Sequence, residues 1–198
     1  MYFIFDIGNV LIDYKPLLFL GSLFSDQQLI DKMYETIFKS PEWEMLDQGV
    51  MTHEEACEIF YMREPNFHPE IRQTMQNLNH MLTPIADTVA LLPEIKEAGH
   101  SLYYLSNYHT QLRDYIMEVY SFFDLFEGGI FSCDVHVNKP SAEIYHHLLE
   151  KYQLSPKECV FFDDIEENIE AAHKVGIHGV LFTGVQCVKP FINHANPV

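Results

Sequence analysis

The sequence predicts an α/β fold: a doubly wound parallel sheet of five strands, interrupted once by an all-helical insertion. Three observations predict it. Short apolar runs, rich in aromatic and branched residues and hydrophobic on both faces, read as strands of a parallel sheet covered by helices on each side. Segments with apolar residues three and four apart alternate with them, as βαβ units require. One stretch, from about residue 15 to 85, breaks that alternation and holds no convincing strand.

Taken in order, Tyr2-Phe-Ile-Phe5 is the first strand and runs into Asp6. The insertion follows. Within it Asp26 to Phe38, Thr52 to Tyr61 and His68 to His80 read as helices, separated by Ser-Pro, Asp-Gln-Gly and Glu-Pro-Asn turn signals. Ala86 to Gly99 returns to the core as a helix, bent or broken near Leu92 because Pro93 cannot donate its backbone bond. Leu102-Tyr-Tyr-Leu105 is the next strand, Thr110 to Tyr120 a helix, Gly129-Ile-Phe-Ser132 a further strand and Ser141 to Tyr152 a helix. Cys159-Val-Phe-Phe162 leads into a helix from Ile165 to Val175, opened by a capping box of Asp164 with Glu167 and stopped at Gly176. His178-Gly-Val-Leu-Phe182 is the last strand, and the tail from Pro190 reads as a loosely held end. Residues 1–14 and 86–198 thus form the α/β core, and 15–85 the helical insertion.

Composition narrows the function. With 47% hydrophobic and 21% charged residues the chain is globular. Its formal charge of −17 repels polyanions, which argues against a nucleic-acid partner; an anionic substrate would need a local lysine or metal to cancel the field. Cys57, Cys133, Cys159 and Cys187 lie far apart without a CxxC pair, so the sequence suggests neither zinc nor a disulfide framework and fits a reducing cytoplasm. The N-terminus lacks a basic leader region, and the uncharged run Pro16 to Ser25 is too short to span a bilayer, so the expectation is a soluble protein without a membrane partner.

Ligands of parallel α/β sheets bind beyond the carboxyl ends of the strands. Here those ends carry Asp6, then Ser106-Asn107, then Asp163-Asp164, while Lys139 sits in Asn138-Lys-Pro140 ahead of a helix. Three carboxylates, a hydroxyl, an amide and an ammonium on one edge make a site for phosphate and a metal. Mg²⁺ prefers oxygen ligands and keeps positions for substrate phosphate, Ser106 and Asn107 are expected to open a helix whose amides attract anions, and Lys139 adds positive charge.

At these residues the chain resembles the haloacid dehalogenase-like hydrolase superfamily over nearly its whole length. Phe5-Asp-Ile-Gly-Asn-Val-Leu-Ile-Asp13, Leu102-Tyr-Tyr-Leu-Ser-Asn107, Asn138-Lys-Pro140 and Val160-Phe-Phe-Asp-Asp-Ile-Glu-Glu-Asn168 match its four motifs in order. The insertion matches the subgroup with a helical cap, and the Asp-x-Gly-Asn-Val opening is similar to bacterial phosphatases of the α-D-glucose-1-phosphate phosphatase type. The resemblance implies Asp6 as nucleophile and metal ligand, Gly8 as a carbonyl ligand of Mg²⁺ and Asp164 as the other protein ligand. It implies Asp163 and Asn168 as supports, and Ser106, Asn107 and Lys139 as holders of the phosphoryl group. The activity implied is hydrolysis of a small phosphate ester, a sugar phosphate first, through an aspartyl-phosphate.

One departure stands out. Gly8 occupies the position where many phosphatases of this superfamily carry a second Asp that protonates the leaving oxygen. It keeps one alternative open, a slowly hydrolysing phospho-aspartate module; a haloacid dehalogenase is a third, weaker alternative that Gly8 does not favour. Of the remaining residues, Asp13 reads as a turn or loop-positioning residue and Glu54-Glu55 as a solvated helix face. Trp43, Met45 and Phe60 read as core before specificity, and His109 is the one histidine close to a motif.

Overall fold

The structure, a computed structural model describing residues 1–193, starts with strand β1 (Tyr2–Phe5). Helices α1 (Pro16–Leu23), α2 (Gln27–Met33, continued by a π-helical turn Tyr34–Phe38), α3 (Pro41–Asp47), α4 (His53–Arg63) and α5 (His68–Gln76) follow. A 3-10 turn, Leu78–Met81, leads to α6 (Ala86–Glu97) and β2 (Ser101–Ser106). Then come α7 (Thr110–Val119), β3 (Gly128–Phe131), α8 (Ser132–Val135), α9 (Ala142–Tyr152), β4 (Cys159–Asp163), α10 (Glu166–Lys174), β5 (His178–Leu181) and α11 (Lys189–Ile192).

All five strands pair in parallel, in the order β3-β2-β1-β4-β5. The chain steps outward from β1 through β2 to β3, then crosses back to lay β4 against the other side of β1. Strand order therefore reverses between β1 and β4, the place where such a sheet opens a crevice. Phe5 lies opposite both Tyr104 and Phe162, and the Asp6 amide donates to the Phe162 carbonyl at 2.9 Å. Asp6, Ser106 and Asp163 thus emerge together at one edge.

Alternation along the strands builds two cores. Phe3, Phe5, Leu102, Tyr104, Val160 and Phe162 face one, with Leu92 and Ile95 of α6 and Ile116 of α7. Ile4, Tyr103, Leu105 and Phe161 face the other, with Ile144 and Leu148 of α9 and Ala172 of α10. The first core continues without a break into the insertion through Leu20, Ile37, Trp43, Phe60 and Met75, so burial of apolar surface holds the insertion to the sheet.

The stems of the insertion pair with each other. Asp13 donates its amide to the Thr83 carbonyl and Ile85 its amide to the Leu11 carbonyl, both at 2.8 Å. A second attachment uses the last turn of α3, where carbonyls at a helix end can accept from outside the helix. Asn138 Nδ2 donates to the Glu44 carbonyl at 3.2 Å, the Ser132 hydroxyl to the Asp47 carbonyl, and His136 Nδ1 lies 2.9 Å from the Gln48 carbonyl. Gly49, at φ +66°, closes this contact; a Cβ there would sit 2.6 Å from the Cys133 carbonyl oxygen.

Several expectations from sequence are corrected. Helices α1 and α3 were not anticipated as helices. Pro93 does not break α6, because buried Leu91, Leu92 and Ile95 hold the helix through it. Strand β5 is not covered on both faces: it is the sheet edge, with His178 and Leu181 exposed. The capping box before α10 is absent. That helix begins at Glu166, and its preceding amide, Ile165, donates instead to Asp163 Oδ1 at 2.8 Å. Ser106 and Asn107 do not open a helix, since α7 starts only at Thr110 after a short loop. The loose tail expected from Pro190 is a helical turn as far as Ile192, whose carbonyl lies 3.0 Å from His100 Nε2; residues 194–198 lie outside the described residues. Among the described residues the four cysteines are free, and no helix is long and apolar enough to cross a membrane.

The tight seat at Gly49 makes a measurable difference. Gly99 has a comparable positive φ of +86° but open space where a Cβ would be. Gly49→Ala should therefore cost at least about 1 kcal/mol more than Gly99→Ala in urea unfolding, since both pay backbone strain and only Gly49 adds a collision.

Candidate active site

Lys139 stands at the centre of the strand edge. Asn107 clamps its backbone from both sides: the Lys139 amide donates to Asn107 Oδ1 at 2.8 Å, and Asn107 Nδ2 donates to the Lys139 carbonyl at 3.0 Å. The side chain, 2% exposed, places Nζ 2.8 Å from Asp6 Oδ1 and donates to Asp163 Oδ2 at 2.7 Å and the Leu105 carbonyl at 3.0 Å. An ammonium has three donor hydrogens, and three oxygens surround this one. Burial alone would lower the Lys139 pKa; the carboxylates of Asp6 and Asp163 outweigh it and hold the ammonium above its ordinary value. Burial pushes Asp6 up to about 6, with Asp163 adding to the rise and Lys139 opposing it.

Asp163 is saturated. Oδ1 accepts from the Ile165 amide, both oxygens accept from Asn168 Nδ2 at 3.0 Å, and Oδ2 takes Lys139. It orients the lysine and has little left for a ligand. Asp164 is different: it is only half-buried, burial raises its pKa, and Oδ2 accepts from Asn9 Nδ2 at 3.1 Å. Asn9 adopts a left-handed conformation (φ 54°) and accepts the Tyr14 amide on Oδ1 at 3.0 Å. One asparagine thereby ties the turn after β1 to Asp164 and to the stem of the insertion.

Asp6, Asp163 and Asp164 each offer an oxygen within 4.8 Å of the others. Three carboxylates share one buried cation, and Asp6 and Asp164 keep acceptor capacity. An oxygen-only, anionic donor set of this kind suits a small hard divalent cation such as Mg²⁺.

Above the carboxylates lies a cavity of about 350 Å³. Asp6, Gly8, Ser106, Asn107, Lys139, Asp164 and Asn168 line its floor, the stem before the insertion supplies Tyr14, and the insertion supplies Phe38, Trp43, Glu44 and Asp47. The buried Ser106 hydroxyl faces the same space and acts to lower the Asp6 pKa. Tyr108, His109 and Leu112 complete the wall. Neither the Tyr108 hydroxyl nor His109 Nε2 has a partner among the described residues. His109 packs at right angles to Trp43, ring centroids 5.3 Å apart, and burial pushes its pKa down to about 3, so the ring is neutral.

The structure gathers every residue singled out from the sequence at this edge: Asp6, Gly8, Ser106, Asn107, Lys139, Asp163, Asp164 and Asn168. Trp43 is buried yet faces the cavity, Phe60 is core, and Met45 is partly exposed. Glu55 completes a capping box with Thr52 and does more than face solvent. Asp13 pairs with Lys15 in the insertion stem and lies outside the cavity. Sequence reading missed Asn9 and Asp47. Asn9 had a signal, as an asparagine after a glycine at a strand end favours a left-handed turn. Asp47 had none, because Asp-Gln-Gly reads first as a turn.

A haloacid dehalogenase-like hydrolase family model matches residues 1–176. The chain is 30% identical over 180 residues to a sesquiterpene phosphatase from Aspergillus oryzae, covering 91% of this chain and 88% of that one. A HAD family enzyme from Bacteroides thetaiotaomicron, solved as an aspartate-to-alanine mutant with magnesium and inorganic phosphate, superposes with a TM-score of 0.73 at 22% identity, covering 91% of this chain and 92% of that one. A HAD-like hydrolase from Porphyromonas gingivalis gives the same TM-score at 16% identity, covering 98% of each chain.

Two outcomes follow from the electrostatics. Lys139→Met leaves two buried carboxylates without their cation and should destabilise the fold by about 3–5 kcal/mol in urea unfolding at pH 7.5. For His109, the folded pKa lies below that of the unfolded chain, so between about pH 6.5 and 3 the unfolded state binds the extra proton and stability falls as pH falls. His109→Gln should remove up to about 3 kcal/mol of the stability lost between pH 7 and 4, read from urea midpoints across that range.

Proposed function

The chain belongs to the haloacid dehalogenase-like hydrolases, and from that premise we propose that it is a Mg²⁺-dependent phosphomonoesterase that passes a phosphoryl group through Asp6. The observation that carries this reading is Lys139, whose buried ammonium lies between Asp6 and Asp163 at the floor of a cavity walled by the insertion. That cation cancels charge where an anionic substrate would bind in a chain of net charge −17. Asp6, the Gly8 carbonyl and Asp164 would hold Mg²⁺. When bound, the ion neutralises phosphate oxygens and aligns phosphorus with the nucleophile.

Asp6 then attacks phosphorus, the bond to the leaving oxygen breaks, and water hydrolyses the aspartyl-phosphate. Ser106 and Lys139 face the phosphoryl oxygens, the ammonium trading one of its present oxygens for them, and Asn107 Nδ2 keeps a second hydrogen for them beyond the one given to the Lys139 carbonyl. Because charge in a loose transition state sits on those oxygens, positioning and electrostatics supply most of the acceleration. Asp163 and Asn168 keep Lys139 in place.

The helical insertion acts as a cap that excludes water and selects the alcohol. Its walls favour an organic phosphate with an apolar body over the sugar phosphate expected from sequence. Tyr14, Phe38, Trp43 and Leu112 offer apolar surface to the leaving group, and the Aspergillus relative is by name a phosphatase for sesquiterpenes. A cavity of about 350 Å³ with apolar walls also has no use in a module that only stores a phosphoryl group.

Phosphate release from a prenyl phosphate, a hexose 1-phosphate and an aryl phosphate, each with Mg²⁺ and with chelator, tests the reading. The prenyl ester should have the highest kcat/KM. Chelation should abolish turnover, and Asp6→Asn should lower it by more than about 10⁴-fold. Activity that survives either treatment contradicts the proposal.

A further inference from the structure

Gly8 offers no side chain to protonate the leaving oxygen, yet an alkoxide is a poor leaving group and a positioned acid is typically worth about 10²–10⁴-fold. The cavity contains another carboxyl group. Asp47 ends α3 and lines the same space as Asp6, Ser106 and Lys139, from the side of the insertion. It is held at both ends. Its carbonyl accepts the Ser132 hydroxyl, the adjacent Gln48 carbonyl is paired with His136, and the His109 backbone amide lies on the side of its carboxylate and opposes the rise in its pKa. One amide leaves a carboxyl group most of its hydrogen-bonding capacity for a ligand.

A structural role explains Asp47 poorly. It sits at the C-terminal end of its helix, where the partial charge of the peptide dipoles is negative and an acidic side chain is unfavourable. It forms none of the ion pairs found among the described residues.

We propose that Asp47 is the general acid and base of the phosphatase reaction, in place of the aspartate that Gly8 replaces. In the first half-reaction the Asp47 carboxyl proton moves to the bridging oxygen as the P–O bond to the alcohol breaks and the P–O bond to Asp6 forms. In the second, the Asp47 carboxylate takes a proton from water as the water oxygen bonds to phosphorus and the bond to Asp6 breaks. The proton balance closes over one turnover, and no other reactant is needed.

The charge environment agrees. Burial pushes the Asp47 pKa up to about 7, with Glu44 of the same helix and Asp6 across the cavity adding to the rise and the His109 amide opposing it. Groups facing it from the other elements do not compete: burial raises the Tyr14 and Tyr108 phenols far out of range, and His109 is held neutral. Of Tyr14, Tyr108, His109 and Asp47, Asp47 is the wall group pushed toward neutrality, while Asp6 on the floor is taken up as the nucleophile.

The inference rests on the phosphatase reading, and leaving-group dependence separates the two. An aryl phosphate releases a stable phenolate and needs little acid, whereas a prenyl or alkyl phosphate needs it fully. With Asp47→Asn, which keeps size and shape, the ratio of kcat/KM for alkyl over aryl phosphate should fall by about 10²–10⁴-fold. The fall of alkyl kcat/KM above about pH 7 should disappear in the same variant. The kcat/KM of the aryl ester, which ends at phosphoryl transfer to Asp6 and does not include the base step, doubles as the test of an intact fold. Equal loss on both substrates, or no loss on either, overturns the assignment while the phosphatase reading stands. Wild-type protein that releases phosphate from neither substrate overturns the reading beneath it.

Discussion

Two carboxylates cannot be buried side by side without a cation between them, and Lys139 is that cation. Its ammonium is divided among Asp6, Asp163 and the Leu105 carbonyl and rests over the ring of Phe161, 5.4 Å from its centroid. Most of the surrounding detail follows from keeping it there. Asn107 spends its side chain on the lysine's backbone. Asp163 is saturated by Asn168 and the Ile165 amide, and the Asn168 carbonyl is in turn held by the Tyr145 hydroxyl at 2.8 Å. Breaking a buried arrangement of this kind costs far more than a surface pair would, so chemistry and stability draw on the same residues.

The insertion belongs to this arrangement as well. The segment from Ser132 to Lys139 carries the lysine into the site, and the same segment supplies Ser132, His136 and Asn138 to the end of α3. Ser132 also accepts the Tyr108 amide at 2.9 Å, joining the loop after β2 to the same point. With the insertion's apolar residues continuous with the sheet core, the walls of the cavity are built into the fold. Asp47, Tyr14 and Trp43 meet Asp6 because a helix end, a stem and a strand end converge on one cavity.

Much of this was legible in the sequence where a single physical rule dominates. Phe161-Phe162 and Tyr103-Tyr104 are apolar on both faces and admit only a covered parallel sheet, which puts Asp6, Ser106 and Asp163 together at its carboxyl edge. Where two rules compete, legibility ended. Asp164 with Glu167 fits a capping box, yet Asp163 takes the amide and leaves Asp164 to Asn9. Pro93 signals a break, yet packing of Leu92 and Ile95 overrides it. Helix α3 begins at a Ser-Pro pair that reads as a turn, although Ser40 caps it through the Trp43 amide at 3.2 Å. Asp47 was hidden for the same reason, because its importance comes from what lies across the cavity and from nothing in its own neighbourhood of sequence.

The central claim is that the carboxylate held by Lys139 becomes phosphorylated. Rapid quenching during steady-state turnover with Mg²⁺, followed by borohydride reduction and peptide mapping, tests it directly, because reduction converts an aspartyl-phosphate to homoserine. The account predicts homoserine at position 6, appearing only when substrate is present. Phosphate release at full rate with Asp6 unmodified at every quench time would contradict it.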